Sequence, residues 1–291
     1  MNKSKPLKAV IAIVALVVLV IGGYVYKDAI HSRIARTVAI VSGQEIKPLI
    51  DSEGRYIRQI VAQDNSTSRT IMWQSDSSEP DAVIEYRQDG ADTIQTINAT
   101  DKAFTDDDSI TYIHEATVTG LTPNTKYEYR IGYGSDRRSD WYSLETAGAS
   151  VYDVLIYPDS QSGDYSQWEE IVKGSAHRTP KAALYIGMGD LVDNGEQAYQ
   201  WRTWLNSIQP LSTRVPLAPM MGNHEMYTLD WKMREPKAYL NYFDVPSNGN
   251  TIFDRHYYSY DYGDVHYVVL DTQLYESNHE DNHDTHYPDL Y

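Results

Sequence analysis

Cysteine is absent from the 291 residues, and phenylalanine occurs only three times. Without cysteine the chain has neither a disulfide framework nor a thiolate zinc site. Basic residues are outnumbered, with 25 Lys and Arg against 41 Asp and Glu, which gives a formal net charge of −16. Such an acidic surface repels phosphate backbones and excludes nucleic acid as a tightly bound partner. Small phosphorylated substrates stay open, because bound metal ions reverse the local field.

One long uncharged stretch lies near the N-terminus. Residues 9–26, AVIAIVALVVLVIGGYVY, follow a basic tail at residues 1–8. Their length reaches the lower limit of about 17 residues for a membrane-spanning helix. Positive charge before the stretch predicts a cytoplasmic tail and an exported remainder. We therefore predict a single-pass signal anchor over residues 9–26 at the cell membrane, then a linker over residues 27–45. Cleavage near Gly22-Gly23 would instead give a secreted protein.

Residues 46–147 consist of short alternating runs separated by turn residues. Apolar residues share one face in three of these runs: Ile71 and Trp73; Ala82, Ile84 and Tyr86; and Tyr127, Tyr129, Ile131 and Tyr133. This pattern predicts an antiparallel β-sandwich that serves as a spacer or as a platform beside a site. The acidic run TDDDS, residues 105–109, lacks a twelve-residue calcium loop and is interpreted as a solvated turn. A calcium-binding adhesion protein is the minor alternative.

Residues 148–291 alternate apolar strands with helical stretches, which is typical of an α/β fold. The helical stretch EQAYQWRTWLNSI places Ala198, Trp201 and Leu205 at core spacing. Three strands end in polar residues: VYDVLIY before Asp159 and Gln161, KAALYIGM before Asp190 and Asp193, and VPLAPMM before Asn223 and His224. Sites of open α/β sheets assemble at such strand ends.

These residue types point to metal chemistry. Carboxylate, amide and imidazole groups suit divalent metals such as Mn, Fe and Zn. We expect Asp190 to bridge two ions, and Asp159 and Asn223 each to hold one. Two ions would clamp a phosphoryl group and provide a metal-bound hydroxide as the nucleophile. His224 would donate a proton to the leaving group or steady the developing charge. The alternative interpretation is a set of turn-capping Asp and Asn residues.

The sequence resembles a known family at three places. GDLVDNG, residues 189–195, and GNHE, residues 222–225, resemble the calcineurin-like metallophosphoesterases. VTGLTPNTKYEYRIG, residues 118–132, resembles the fibronectin type III-like N-terminal domain of purple acid phosphatases. The resemblance implies a fibronectin type III-like domain over residues 46–147 and a phosphoesterase domain over residues 148–291. It also implies two metal ions and a phosphomonoester substrate, with nucleotides or diesters as further options.

Two positions depart from the purple acid phosphatase pattern. The third residue after the bridging Asp is, in that family, the Tyr that ligates iron and gives the colour. Asp193 occupies this position here. We count Asp193 among the candidate metal ligands and predict a colourless protein. Gln161 stands where relatives often carry His, and we expect it to orient an ion-bound water.

The family completes its metal site with three more histidines, two of them in a Gly-His-x-His motif. No Gly-His pair occurs in this sequence. His279, His283 and His286 lie in a polar final segment and are interpreted as surface-loop residues, whereas His256 and His266 are interpreted as structural. We therefore predict an incomplete phosphoesterase domain. It is either part of a longer membrane-anchored enzyme or a truncated, inactive surface binding module.

Overall fold

The computed structural model describes residues 54–107, 109–148, 151–162 and 165–273. The predicted basic tail, anchor and linker lie outside the described residues, as do His279, His283 and His286. Within the described ranges, no helix combines the length and apolar character needed to cross a membrane.

The described part carries a β-rich N-terminal region and an α/β region. The strands are β1 Arg55–Ile60, β2 Arg69–Ser75, β3 Ala82–Gln88, β4 Gln95–Asn98, β5 Lys102–Asp106, β6 Ser109–Val118, β7 Lys126–Tyr133, β8 Arg137–Arg138, β9 Tyr142–Glu145, β10 Asp153–Tyr157, β11 Ala182–Met188, β12 Leu217–Met220, β13 Tyr258–Tyr262 and β14 Val265–Val269. The helices are α1 Ser166–Arg178, α2 Ala198–Ser212 and α3 Lys237–Tyr242, with a 3-10 turn at His224–Met226.

The strands form two large sheets and a separate hairpin. A seven-stranded sheet has the order β10-β11-β12-β1-β2-β6-β5, and β4, β3, β7, β8 and β9 form the second sheet. Strands β10, β11 and β12 are parallel, while β1 pairs antiparallel with β2. The two predicted domains meet where β1 pairs in parallel with β12 through Ile60 and Leu217. One sheet is therefore continuous across both regions.

The apolar faces predicted for the sandwich strands are buried. Ile71, Ile84 and Tyr129 are fully buried in one hydrophobic cluster between the two sheets. Strand β2 is also buried on its other face, because Met72 packs into a second cluster that continues into the α/β region. The sandwich thus covers part of the α/β core with the back of its own sheet.

Helix α2 forms where its apolar spacing predicts it and packs against β1 and α1. Ala198, Trp201 and Leu205 are all buried. Trp201 and Trp204 meet Phe243 edge-on, with ring centroids 5.9 and 6.0 Å away. The indole N–H of Trp201 donates to the carbonyl of Gly195, and that of Trp204 donates to the hydroxyl of Ser160. The helix therefore supports both loops that follow β10 and β11.

Buried polar contacts fasten the two regions together. Arg58 of β1 is fully buried and donates through Nε and Nη2 to the carbonyl oxygen of Tyr242, at 2.9 and 2.6 Å. The hydroxyl of Tyr129 in β7 donates to the carbonyl of Thr213 at 2.8 Å. Burial lowers the pKa of Arg58 to about 9, which still leaves the guanidinium charged at neutral pH. These bonds fix the sandwich against the ends of α2 and α3.

Candidate active site

The polar residues predicted to form a site follow three adjacent parallel strands. Ile156 of β10 pairs with Ile186 of β11, and Ile186 pairs with Ala218 of β12, so the three strands end at the same level. Asp159 and Asp190 each lie two residues beyond their strand, and Asn223 lies three residues beyond β12. The backbone N–H of Gln161 donates to the carbonyl of Asp190 at 2.9 Å, which ties the first two loops together.

The two carboxylate residues share an uncommon backbone conformation. Asp159 has φ 47° and Asp190 has φ 46°, both in the left-handed region. A non-glycine residue there costs of order 1 kcal/mol, and such strain concentrates at functional sites. The chain turns sharply at each strand end and keeps a carboxylate at the turn.

Glycine is required at position 222 because the loops after β11 and β12 approach each other closely there. A Cβ atom built on Gly222 would lie 2.1 Å from Oδ1 of Asp190 and 2.7 Å from its backbone nitrogen. Gly189, at φ 75°, lies against the same segment. Both glycines therefore lie where the loops after β11 and β12 come closest together. The Asp190 carboxylate occupies the space that a side chain at 222 would fill.

Glu225 is a site residue that the sequence interpretation missed. Its side chain is fully buried, and its carboxylate accepts the backbone N–H groups of Asp190, Leu191, Val192 and Gly222 at 2.6 to 3.2 Å. Burial raises the pKa of Glu225, the Asp190 charge adds to this, and the N–H donors oppose it. Glu225 therefore fixes the loop after β11 to the loop after β12.

His224 is held so that one ring nitrogen is left for an outside partner. Nδ1 lies 2.7 Å from the carbonyl oxygen of Asp193, which requires a proton on Nδ1 to donate. The Asp193 carboxylate is 3.8 Å from the same nitrogen, and the His224 backbone N–H donates to Oδ1 of Asp190 at 3.2 Å. The side chain is 21% exposed. With Nδ1 engaged by Asp193, Nε2 is the ring nitrogen that remains for a further partner.

Aromatic rings flank His224. The ring of Tyr227 meets it edge-on, with centroids 5.3 Å apart, and the ring of Trp231 lies 6.2 Å away. The hydroxyl of Tyr227 also accepts a hydrogen bond from Nδ2 of Asn223 at 2.9 Å. Neither aromatic residue was singled out from the sequence.

Helix α2 supplies the support beneath Asp193. Oε1 of Gln200 accepts the backbone N–H groups of Asp193 and Asn194 at 2.7 and 3.0 Å, and it accepts the hydroxyl of Tyr165 at 3.1 Å. The loop after β11 is therefore held by hydrogen bonds to two side chains, Gln200 of α2 and Glu225 of the loop after β12.

A sequence model described as calcineurin-like phosphoesterase matches residues 139–289, more than half of the chain. The chain belongs to the calcineurin-like phosphoesterase family. A second model, purple acid phosphatase N-terminal domain, matches residues 56–146. The predicted resemblance to purple acid phosphatases is confirmed, including the β domain that precedes the phosphoesterase fold.

Individual relatives that align with this chain are named as purple acid phosphatases. Purple acid phosphatase 15 of Arabidopsis thaliana is 27% identical over 183 residues, which cover 54% of this chain and 34% of that protein. Probable inactive purple acid phosphatase 27 of the same plant is 26% identical over 193 residues, 56% of this chain and 30% of that protein. The alignments thus span about a third of the length of these relatives.

One solved structure shows the same fold. Purple acid phosphatase PPD1 from yellow lupin seeds superposes with a TM-score of 0.62 at 20% identity, over 74% of this chain and 44% of that one. This likeness supports the order of a β domain followed by a phosphoesterase fold. The predicted boundaries at residues 46, 147 and 148 stay predictions.

The dinuclear metal centre of the phosphoesterase family can be compared with the donors present. Asp159, Asp190 and Asn223 supply the carboxylate and amide oxygens that hard or borderline divalent ions take. Nδ2 of Asn223 donates a hydrogen bond to the hydroxyl of Tyr227, which leaves Oδ1 as the ligand atom. Oε1 of Gln161, in the loop after β10, is buried without a hydrogen-bond partner. These donors fit a metal ion in kind.

In number the donors fall short of a closed ligand shell. Across the described ranges, no three His, Asp or Glu side chains come together as a metal-binding group. Asp193, the fourth predicted ligand, lies beside His224, and its role as a ligand stays a prediction. Of the remaining histidines, His256 is buried with Nδ1 3.5 Å from the Asp271 carboxylate, and His266 is exposed and pairs with Asp261 at 2.6 Å.

Proposed function

We propose that this chain acts as a metal-dependent phosphoesterase on small phosphomonoesters, anchored in the cell membrane with the site outside the cytoplasm. One observation carries the catalytic part of the proposal. Three parallel strands bring two carboxylates, an amide and a histidine to one edge, and the histidine keeps Nε2 for a substrate. The anchor rests on the uncharged stretch at residues 9–26 behind a basic tail.

Asp159, Asp190 and Asn223 would hold the metal ions, whose charge neutralises a phosphoryl group and makes a water molecule more acidic. The two-residue spacing after each strand presents Asp159 and Asp190 from neighbouring loops. Glu225 keeps Asp190 in place by binding the N–H groups around it. Because the family pattern has Tyr where this chain has Asp193, we expect no colour from a metal–tyrosinate bond.

His224 would act on the leaving group. With Nδ1 committed to the Asp193 carbonyl, a second proton on Nε2 can pass to the leaving alkoxide oxygen. Proton donation matters most for poor leaving groups, because they develop the most negative charge.

The activity assay uses the full chain, a metal salt of Mn²⁺ or Zn²⁺, and 4-nitrophenyl phosphate. We expect metal-dependent release of phosphate that Asp190→Ala abolishes. Asp264→Ala, an exposed carboxylate in the β13–β14 turn, is the matched control and should keep the activity. Hydrolysis that survives Asp190→Ala, or no hydrolysis by the wild-type chain, contradicts the proposal.

The role of His224 has its own test. His224→Ala should lower kcat on an alkyl phosphate by about 100-fold or more, since a positioned acid contributes that much. The loss on 4-nitrophenyl phosphate should be much smaller, because that leaving group departs without a proton. Equal losses on the two substrates would argue against proton donation.

A surface binding module without activity is the second candidate. It is favoured by the lack of a three-residue acidic or histidine cluster in the described residues and by a relative named as probably inactive. A folded wild-type chain that neither binds Mn²⁺ or Zn²⁺ nor hydrolyses the aryl phosphate would support it. Membrane placement is tested separately by fractionation and by protease access from outside intact cells.

A further inference from the structure

Tyr227 lies directly after the 3-10 turn that carries His224. Its hydroxyl accepts a hydrogen bond from Nδ2 of Asn223 at 2.9 Å. Its ring also meets the His224 imidazole edge-on at 5.3 Å. One side chain therefore contacts both residues that the loop after β12 brings to the site.

The bond to Asn223 decides which end of the amide faces away from Tyr227. A side-chain amide has an oxygen that binds metal ions and an NH₂ group that does not. The two ends exchange by rotation about the last side-chain bond, which is a soft torsion. With Nδ2 engaged by Tyr227, Oδ1 is presented to the opposite side. An unfixed amide would offer its oxygen only part of the time.

Tyr227 is itself held firmly enough to act as a support. Its backbone N–H donates to the carbonyl of His224 at 3.3 Å, and its carbonyl accepts the N–H of Glu196 at 3.1 Å. It also forms an antiparallel bridge with Met233. The ring packs against Trp231 at 5.4 Å.

The turn that brings Trp231 to Tyr227 is strained. Trp231 has φ 62°, a conformation rare for a bulky residue, and its N–H closes the turn by donating to the Thr228 carbonyl at 2.8 Å. The ring of Trp231, which contacts the ring of Tyr227, is thus carried by a turn of uncommon backbone conformation.

We propose that Tyr227 is a positioning residue that orients the Asn223 amide for metal binding and steadies the His224 ring. This inference rests on the proposed function only for the identity of the ligand as a divalent metal ion. Hydrogen-bond partners of metal ligands typically change affinity by about 10- to 100-fold when removed. We expect the loss from the missing hydroxyl to lie near the lower end.

The first test needs no metal. Tyr227→Phe keeps the ring against His224 and Trp231 and removes only the hydroxyl. The side-chain amide protons of Asn223, assigned by their loss in Asn223→Asp, are followed by NMR hydrogen exchange. We expect faster exchange and a shifted resonance in Tyr227→Phe. Urea unfolding of the same variant should confirm that the fold is kept.

A matched pair elsewhere provides the control. Nδ2 of Asn250 donates to the hydroxyl of Tyr257 at 3.4 Å in a loop before β13. Tyr257→Phe should leave the Asn223 amide unchanged. If the Asn223 protons exchange equally fast in wild type and Tyr227→Phe, the amide is not held by Tyr227 and the inference is overturned.

The second test is calorimetric titration with Mn²⁺. We expect Tyr227→Phe to weaken binding by about tenfold, while Tyr257→Phe binds like wild type. Equal affinity of the wild type and Tyr227→Phe would overturn the positioning role. Failure of the wild type itself to bind Mn²⁺ would count against the proposed function, and the amide exchange would then decide the role of Tyr227 alone.

Discussion

At the scale of single residues, Glu225 joins two loops of the site through its buried carboxylate. It accepts four backbone N–H groups from the loops after β11 and β12 and is fully buried. Removing it would leave several buried donors without acceptors, and each costs about 1 to 3 kcal/mol. The residue therefore secures the position of Asp190 without touching a substrate.

We expect Glu225→Ala to lower the free energy of unfolding by about 3 kcal/mol or more. Urea denaturation followed by tryptophan fluorescence measures the change. Glu170→Ala, an exposed carboxylate on α1, serves as the control and should stay within about 0.5 kcal/mol of wild type. A Glu225→Ala variant as stable as the control would show that the four hydrogen bonds contribute little.

Single residues also show where sequence reasoning reaches its limit. Asp159, Asp190 and Asn223 were predicted because metal-ligand types after apolar strands have a chemical meaning on their own. Glu225 and Tyr227 act on atoms of other loops, so their roles depend on contacts that the sequence does not display. The signal that the sequence offered for Glu225 was a carboxylate five residues after β12, next to the predicted site residues Asn223 and His224.

At the scale of elements, local pattern predicted helix α2 and six strands, namely β2, β3, β7, β10, β11 and β12. Alternation identified β2, β3 and β7, and apolar spacing identified α2, because these patterns are set by burial of one face. The pairing of β1 with β12 was not predicted, since it joins residues far apart in the chain. Strand β2 is buried on both faces, whereas in an isolated two-sheet sandwich one face of each sheet would be exposed to solvent.

A carboxyl pair lies where β6 meets the segment after α3. Glu115 is the register partner of Met72, and the backbone N–H of Asp244 donates to the sulfur of Met72 at 3.1 Å. Arg255 pairs with Asp244 at 3.1 Å. Burial, followed by the charge of Asp244, raises the pKa of Glu115 to about 7, and Arg255 and Lys102 oppose this.

This pair predicts a pH dependence of stability. The folded chain keeps a proton on Glu115 that the unfolded chain releases near pH 4.5. The contribution is therefore fully present below about pH 4.5 and is lost as the pH rises through about 7. We expect a loss of roughly 1 to 2 kcal/mol, allowing for solvent screening of a partly exposed group.

Urea unfolding of the wild type and Glu115→Gln across pH 4.5 to 8 measures this effect. The difference between the two should change with pH, because Gln carries no titrating proton. Groups that do not interact with Glu115 titrate equally in both proteins and cancel. A difference that stays constant over the whole range would show that Glu115 titrates as an ordinary carboxylate.

At the scale of the whole molecule, the β domain reaches the loops of the site. Asp106, at the end of β5, binds the guanidinium of Arg234 through both carboxylate oxygens, one of them at 2.9 Å. Arg234 also lies 3.7 Å from Glu196 and donates its backbone N–H to the Met226 carbonyl at 2.8 Å. The acidic run interpreted as a solvated turn thus includes a residue that holds the loop carrying Tyr227 and Trp231.

We expect Asp106 and Arg234 to be energetically coupled. In a double-mutant cycle of Asp106→Asn and Arg234→Gln, the coupling should be about 1.5 to 3 kcal/mol, since both side chains are largely buried. Arg87 and Glu128, a more exposed pair within the sandwich, provide the comparison and should couple by less than about 1 kcal/mol. Additive effects of the two changes would mean that the β domain does not support the loop through this pair.

We propose that the ends of three parallel strands form one metal-binding site. The direct measurement is calorimetric titration of the metal-free full chain with Mn²⁺ and Zn²⁺, in the wild type and in Asp159→Ala, Asp190→Ala and Asn223→Ala. We expect the wild type to bind metal, each substitution to weaken the binding, and Asp190→Ala to weaken it most, while Asp264→Ala binds like the wild type. Binding that is unaffected by all three substitutions, or absent from a folded wild type, would contradict it.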